Sequence, residues 1–316
     1  MRTFLALFAA AFLLLATGPR PALAQDELTL LLDWFVNPDH APLIVAERGG
    51  YFEKHGLAVE MIEPADPNDP PKLVAAGKAD LAVSYQPQLH IQVAEDLPLA
   101  RIGTLVATPL NSLVVLADGP IETLADLKGK TVGYSVGGFE TALLGAMLAE
   151  ADLTMEDVAL VNVNFSLSPS LISGQTDAVI GAFRNFELNQ MEIVGEPGRA
   201  FYPEEHGVPP YDELILVARN DRLDDPRFER FLRAVEEATI FLMNHPEEAW
   251  AMFVGTDPEL DDDLNRKAWA DTLPRFALRP AALDAGRYRR FAAFMKEAGL
   301  IESTPPVARY AVELGQ

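Results

Sequence analysis

The chain has 316 residues, with 47 acidic side chains against 25 basic ones, a formal net charge of −22 and no cysteine. Without thiols there are no disulfides, thiolate metal sites or cysteine nucleophiles, and acidity without a basic cluster argues against a nucleic-acid partner, whose phosphates need a basic footprint. At this length one core usually divides, so two lobes are expected.

Residues 1–24, MRTFLALFAAAFLLLATGPRPALA, place Arg2 before an apolar core and a small-x-small site at Ala22-Leu23-Ala24. That order is expected of an export signal removed before Gln25. Its core is shorter than the roughly 20 apolar residues a membrane span needs. No later stretch is long and apolar enough to span a bilayer, and no cysteine offers a lipid tether, so a free periplasmic protein is expected.

Residues 28–32 read as a strand buried on both faces. The strand runs into Asp33-Trp34-Phe35-Val36-Asn37-Pro38-Asp39-His40, a polar and aromatic loop at its carboxyl end, where open α/β sheets bind ligands. A helix over 41–52 follows, with Pro42 in its first turn and Gly49-Gly50 as its stop. Residues 57–62 read as a second strand, the proline-rich acidic segment 63–71 as a rigid connection, 72–79 as a short helix and 81–86 as a strand.

Residues 99–105 and 112–116 are predicted strands around Thr108-Pro109-Leu110-Asn111, and 121–128 a helix. The strand 131–135 leads through Val136-Gly137-Gly138-Phe139-Glu140 into a helix over 140–151. A strand over 158–165, a short helix over 168–173 and a strand over 177–183 open onto Arg184-Asn185-Phe186-Glu187. After a polar loop from 195 to 210, Tyr211-Asp212-Glu213 enter a strand over 214–218. From Pro226 the pattern turns helical, with Phe228, Phe231, Leu232, Val235 and Ala238 on one face. Helices over 247–253, 264–273 and 284–298 cap a lobe rather than build a new sheet.

The segment GKADLAVSY at 77–85 recurs in form as GQTDAVIGA at 174–182, with Gly77 and Asp80 matching Gly174 and Asp177. Two such copies point to two lobes of similar βα construction. The expected division is a first lobe from 25–116 and 214–316 and a second from 117–213. Two chain crossings would form a hinge, and the cleft between hinged lobes is a common small-molecule site.

Five segments carry a family resemblance: DWFVNPDHAPLIVAERGGYFEKHGL, PADPNDPPKLVAAGKADLAVSYQ, TPLNSL, DAVIGAFRNFE and GVPPYDEL. In this order they resemble the periplasmic substrate-binding proteins of ABC importers that carry thiamine pyrimidine precursors, relatives of the eukaryotic thiamine-pyrimidine synthases. The resemblance implies the α/β type II periplasmic-binding-protein fold and an ABC permease and ATPase as partners. It also implies a ligand such as N-formyl-4-amino-5-aminomethyl-2-methylpyrimidine; no cofactor or metal is expected, and a monomer is the default for a protein that must dock singly on a transporter. A flat, largely uncharged ring wants aromatic faces and a few directional groups at its edges. Trp34 would supply one face, with Tyr85, Phe183 or Phe186 opposite. Asn37 and Asn111 both donate and accept, and Glu187 and Glu213, with Tyr211 nearby, would accept from the exocyclic amine. Asp33 and Asp39 either reach the ligand or cap the helix at Ala41. His40 either reaches the ligand, starts the helix or lies on the surface. Gly137-Gly138 lacks the Ser/Thr and basic neighbours that relatives binding oxyanions would offer, so it reads as close approach to a neutral edge.

Other readings keep the fold and change the ligand to riboflavin, another flat heterocycle or a small sulfonate, or make the protein a periplasmic sensor. The synthases would need a lysine where this chain has Ser84 in SYQPQLH, and their cysteine-rich stretch is absent, which argues against an enzyme. No HExxH motif occurs, and the histidines have no metal-ligand spacing.

Overall fold

The computed structural model describes residues 25–315; the expected export signal at 1–24 lies outside them. Ten strands form two five-stranded sheets. They are β1 (Asp26–Leu31), β2 (Leu57–Ile62), β3 (Leu81–Ser84), β4 (Leu99–Val106), β5 (Asn111–Leu116), β6 (Thr131–Tyr134), β7 (Ala159–Asn162), β8 (Ala178–Phe183), β9 (Gly198–Phe201) and β10 (Leu214–Arg219). The first sheet has the order β2-β1-β3-β10-β4 and the second β7-β6-β8-β5-β9. In each, three parallel strands are followed by an antiparallel strand that belongs to a chain crossing, β10 in the first and β5 in the second.

The repeat seen in the sequence is a repeat of construction. Gly77 and Gly174 both take positive φ, 69° and 73°, as chain-reversing residues at helix ends do. Each following aspartate then accepts a backbone N–H of the neighbouring strand: Asp80 from Thr29 at 3.0 Å and Asp177 from Thr131 at 2.8 Å. These bonds fix how β3 and β8 enter beside β1 and β6, and so fix where the two strand ends open.

Three expectations need correction. The strand at 111–116 belongs to the second sheet, because β5 pairs antiparallel with β8 and β9 and with no strand of the first sheet. The chain therefore crosses before β5, between Val106 and Asn111, and the second sheet begins earlier than residue 117. The loop at 195–210 contains the short edge strand β9, half-buried and interrupted by Arg199, a pattern too brief and polar to read as a strand. The helix at 121–128 is only a 3-10 turn, Leu124–Leu127, closed by a reciprocal Thr123–Asp126 cap and ended by an extended Lys128.

The last third is helical and covers the first sheet. Phe228, Phe231 and Val235 of the helix Pro226–Asn244 are buried with Leu28, Leu30 and Leu216. Among the described residues no helix is long and apolar enough to cross a membrane. Arg101, wholly buried on β4, ties the C-terminal segment down by donating to the carbonyls of Pro280, Ala281, Ala282 and Val312. Arg101→Ala would orphan these carbonyls and leave a void, so urea denaturation is expected to show a loss of about 3 kcal/mol or more; a loss under about 1 kcal/mol would contradict this anchoring role.

Candidate functional site

Parallel strands end in loops on one side of a sheet, and the loops after β1, β3, β6 and β8 converge between the two sheets. They form a cavity lined by Asp33, Trp34, Asn37, Asp39, Tyr85, Glu140, Leu167, Gly181, Phe183, Phe186 and Glu187.

The first wall is built around Asp33. Its Oδ2 accepts from the Tyr85 hydroxyl at 2.8 Å and its Oδ1 from His40 Nε2 at 2.9 Å. The backbone N–H of Asn37 donates to His40 Nδ1 at 3.3 Å. A backbone N–H only donates, so the imidazole proton lies on Nε2, facing the carboxylate. His40 is therefore a fully buried brace behind Asp33 rather than a ligand contact. Asn37 caps the turn Pro38–His40, accepting from Asp39 N at 2.8 Å. Neither Asp33 nor Asp39 caps the helix Ala41–Arg48, which leaves both carboxyls facing the cavity.

Aromatic rings close the sides. Trp34 is half-buried and meets Phe165 of the second lobe edge-on, ring centroids 4.6 Å apart. Tyr85 stacks on Phe139, also of the second lobe, at 4.6 Å and 26°. One face of Tyr85 is thus taken by protein; Phe183 and Phe186, both partly exposed, line the cavity as well.

The second wall carries Glu140 and Glu187. Glu187 accepts from Phe183 N at 2.7 Å and Glu140 from Ser135 N at 2.8 Å. Gly181, with φ 105°, lets the Glu140 carboxyl lie against the strand, since a Cβ there would sit 2.5 Å from its carbon. Burial pushes Glu140 well above the ordinary carboxyl range, with Glu213 and Glu187 adding to the rise. Burial likewise pushes Glu187 up to about 7 and Asp39 up to about 6.

The lobes are latched shut beside this cavity. Asn185 Nδ2 donates to Asp39 Oδ1 and to Thr272 Oγ1, both at 2.7 Å, and Gly137 N donates to Asn68 Oδ1 at 2.8 Å. Gly137-Gly138 is therefore a contact between lobes, with Gly138 facing Ile91, and not an edge of the cavity. Asn111, Tyr211 and Glu213 also lie outside the cavity wall, wholly buried at the crossings. There Glu213 accepts from the backbone N–H groups of Leu110 and Asn111 at 2.6 and 2.9 Å and pins one crossing to the other; burial raises it to about 7. Six of the twelve residues expected at the site do line it: Trp34, Asn37, Tyr85, Phe183, Phe186 and Glu187. Glu140, Leu167 and Gly181 were not expected there. Only Glu140 left a signal, as an acid two residues after a strand-to-helix glycine pair. Among the described residues no group of His, Cys, Asp or Glu has the geometry to hold a metal ion.

Two α/β lobes, crossed twice by the chain and shut over an acid-lined, aromatic-walled cavity, define a periplasmic-binding-protein fold with a small-molecule site. The same fold is seen in the alkanesulfonate-binding protein SsuA from Xanthomonas axonopodis pv. citri bound to MOPS, with a TM-score of 0.71 at 16% identity over 91% of this chain and 98% of that one. Residues 37–249 match the family model described as NMT1/THI5 like, and the chain belongs to that family. It is 57% identical over 295 residues to a putative thiamine biosynthesis protein of Haemophilus influenzae, covering 93% of this chain and 94% of that protein. It is 33% identical over 252 residues to the formylaminopyrimidine-binding protein of Halalkalibacterium halodurans, covering 79% and 76%. A 4-amino-5-hydroxymethyl-2-methylpyrimidine phosphate synthase of Aspergillus parasiticus is 28% identical over 271 residues, covering 81% and 78%.

The raised carboxyls set a pH dependence. An acid that holds its proton more tightly folded than unfolded contributes stability at low pH that is lost as pH rises through its folded pKa. For Asp39, at about 6, and Glu187 and Glu213, at about 7, that window runs from roughly pH 4 to pH 7. The melting temperature of the unliganded protein is therefore expected to fall between about pH 4 and pH 7, and less steeply in Glu187→Gln; a flat profile, or one unchanged by the substitution, would contradict the burial of these acids.

Proposed function

We propose that the chain is the periplasmic solute-binding protein of an ABC importer, a monomer that captures a thiamine pyrimidine precursor by lobe closure and delivers it unaltered to a permease driven by its ATPase. The observation that carries this reading is the pairing of Trp34, Phe183 and Phe186 with Glu187 in one cavity. An aminopyrimidine offers a flat face to the rings and an exocyclic amine that donates to a carboxyl. The formylaminopyrimidine-binding relative supports the ligand class.

A sulfonate fits poorly, because four carboxyl groups line the cavity and no Lys or Arg does, and burying an anion beside carboxylates is repulsive. The SsuA likeness is one of fold. Synthase chemistry fits poorly as well: Ser84, where the resemblance puts the synthase lysine, is buried and faces Gln88 Oε1 at 3.4 Å. Capture and release need no activated nucleophile.

Ligand that binds the folded chain raises its melting temperature by mass action. In a panel of aminopyrimidines, thiamine, riboflavin and taurine, the aminopyrimidines are expected to give the largest shift; a shift with taurine alone overturns the reading. Trp34→Ala removes a stacking face and is expected to weaken aminopyrimidine binding by about 1 kcal/mol or more in calorimetry. Unchanged affinity would remove Trp34 from the site.

A further inference from the structure

The cavity wall carries four carboxyl groups and no cation. Asp33, Asp39, Glu140 and Glu187 all face it, and none of its lining residues is a Lys, Arg or His. The basic residue on the same loop as Glu187, Arg184, is committed to Glu204 at 2.6 and 3.0 Å. Asp39 makes the imbalance specific. It is 1% exposed, its Oδ1 is taken by Asn185, and its Oδ2 has no hydrogen-bond partner. A buried carboxyl oxygen without a donor is costly, so the missing donor belongs to what the cavity holds.

Resting on the pyrimidine reading above, we propose that the ligand's side chain carries a positive charge, a primary ammonium seated against Asp39 and Asp33, so that the free 5-aminomethyl pyrimidine is preferred to its N-formyl derivative. An ammonium brings three donors and a full charge. A formamide brings one N–H, no charge, and a carbonyl oxygen that would face the carboxyls. Asp33 is held in place for this role by Tyr85 and His40, which occupy one position on each of its oxygens and leave further lone pairs. Glu187, on the opposite wall, remains for the exocyclic ring amine.

The test is calorimetry on the mature chain with three pyrimidines that differ only at the 5-substituent: aminomethyl, N-formylaminomethyl and hydroxymethyl. The ring is common to all three, so any charge on it cancels. The aminomethyl compound is expected to bind about tenfold or more tighter than the other two, the difference a charge-assisted bond to a buried carboxyl makes. Asp39→Asn keeps the side chain's shape and is expected to remove about tenfold from the aminomethyl affinity while changing the N-formyl affinity by less than about threefold. Equal or tighter binding of the N-formyl compound by the unsubstituted protein overturns the proposal and leaves the pyrimidine reading standing. Equal loss for both compounds in Asp39→Asn also overturns it. Binding of none of the three sinks the pyrimidine reading and this proposal together.

Discussion

Taking a carboxyl group out of water without a cation is unfavourable, yet this fold gathers Asp33, Asp39, Glu140, Glu187 and Glu213 between its two sheets. Most of them are made tolerable by neutral donors. Backbone N–H groups serve Glu140, Glu187 and Glu213, and a phenol and an imidazole serve Asp33. Because those donors come from strand ends and chain crossings, the same bonds that satisfy the acids also fix the loops and pin the two lobes. What remains unsatisfied, above all Asp39 Oδ2, points to the ligand.

That arrangement connects binding with closure. Asp39 sits on the first lobe's loop and is held by Asn185 of the second. Trp34, on the same loop, packs its edge on Phe165 across the cleft. A ligand that touches Asp39 and Trp34 therefore touches the elements that latch the lobes. Opening must break the Asn185 and Asn68 hydrogen bonds and separate two aromatic contacts, Trp34 with Phe165 and Tyr85 with Phe139. Each is small, and together they suit a hinge that must also open.

Much of the fold was legible because buried parallel strands leave near-continuous apolar runs: β1, β2, β8 and β10 were read close to their ends. The GxxD repeat was legible because glycine at positive φ and a strand-capping aspartate are local needs. The membership of β5 was not, since an apolar run says that a strand is buried and not which sheet buries it. At the site, residues on the strand-end loops were found, because their position follows from the strand. His40 and Glu213, expected at the ligand, lie away from the cavity wall: His40 turns behind Asp33, and Glu213 spends one oxygen on backbone N–H groups at positions 110 and 111. Those partners depend on how loops return in space. Gly137-Gly138 was misread for the same reason, its partner being Asn68 of the other lobe.

The central claim is that the acids and rings between the sheets hold one flat nitrogen heterocycle. A crystal structure of the protein grown with a thiamine pyrimidine precursor tests it most directly. The account predicts the ring in the cavity against Trp34, with its exocyclic amine within hydrogen-bond reach of Glu187. A pyrimidine bound elsewhere on the molecule, or an anion occupying the cavity in its place, would contradict it.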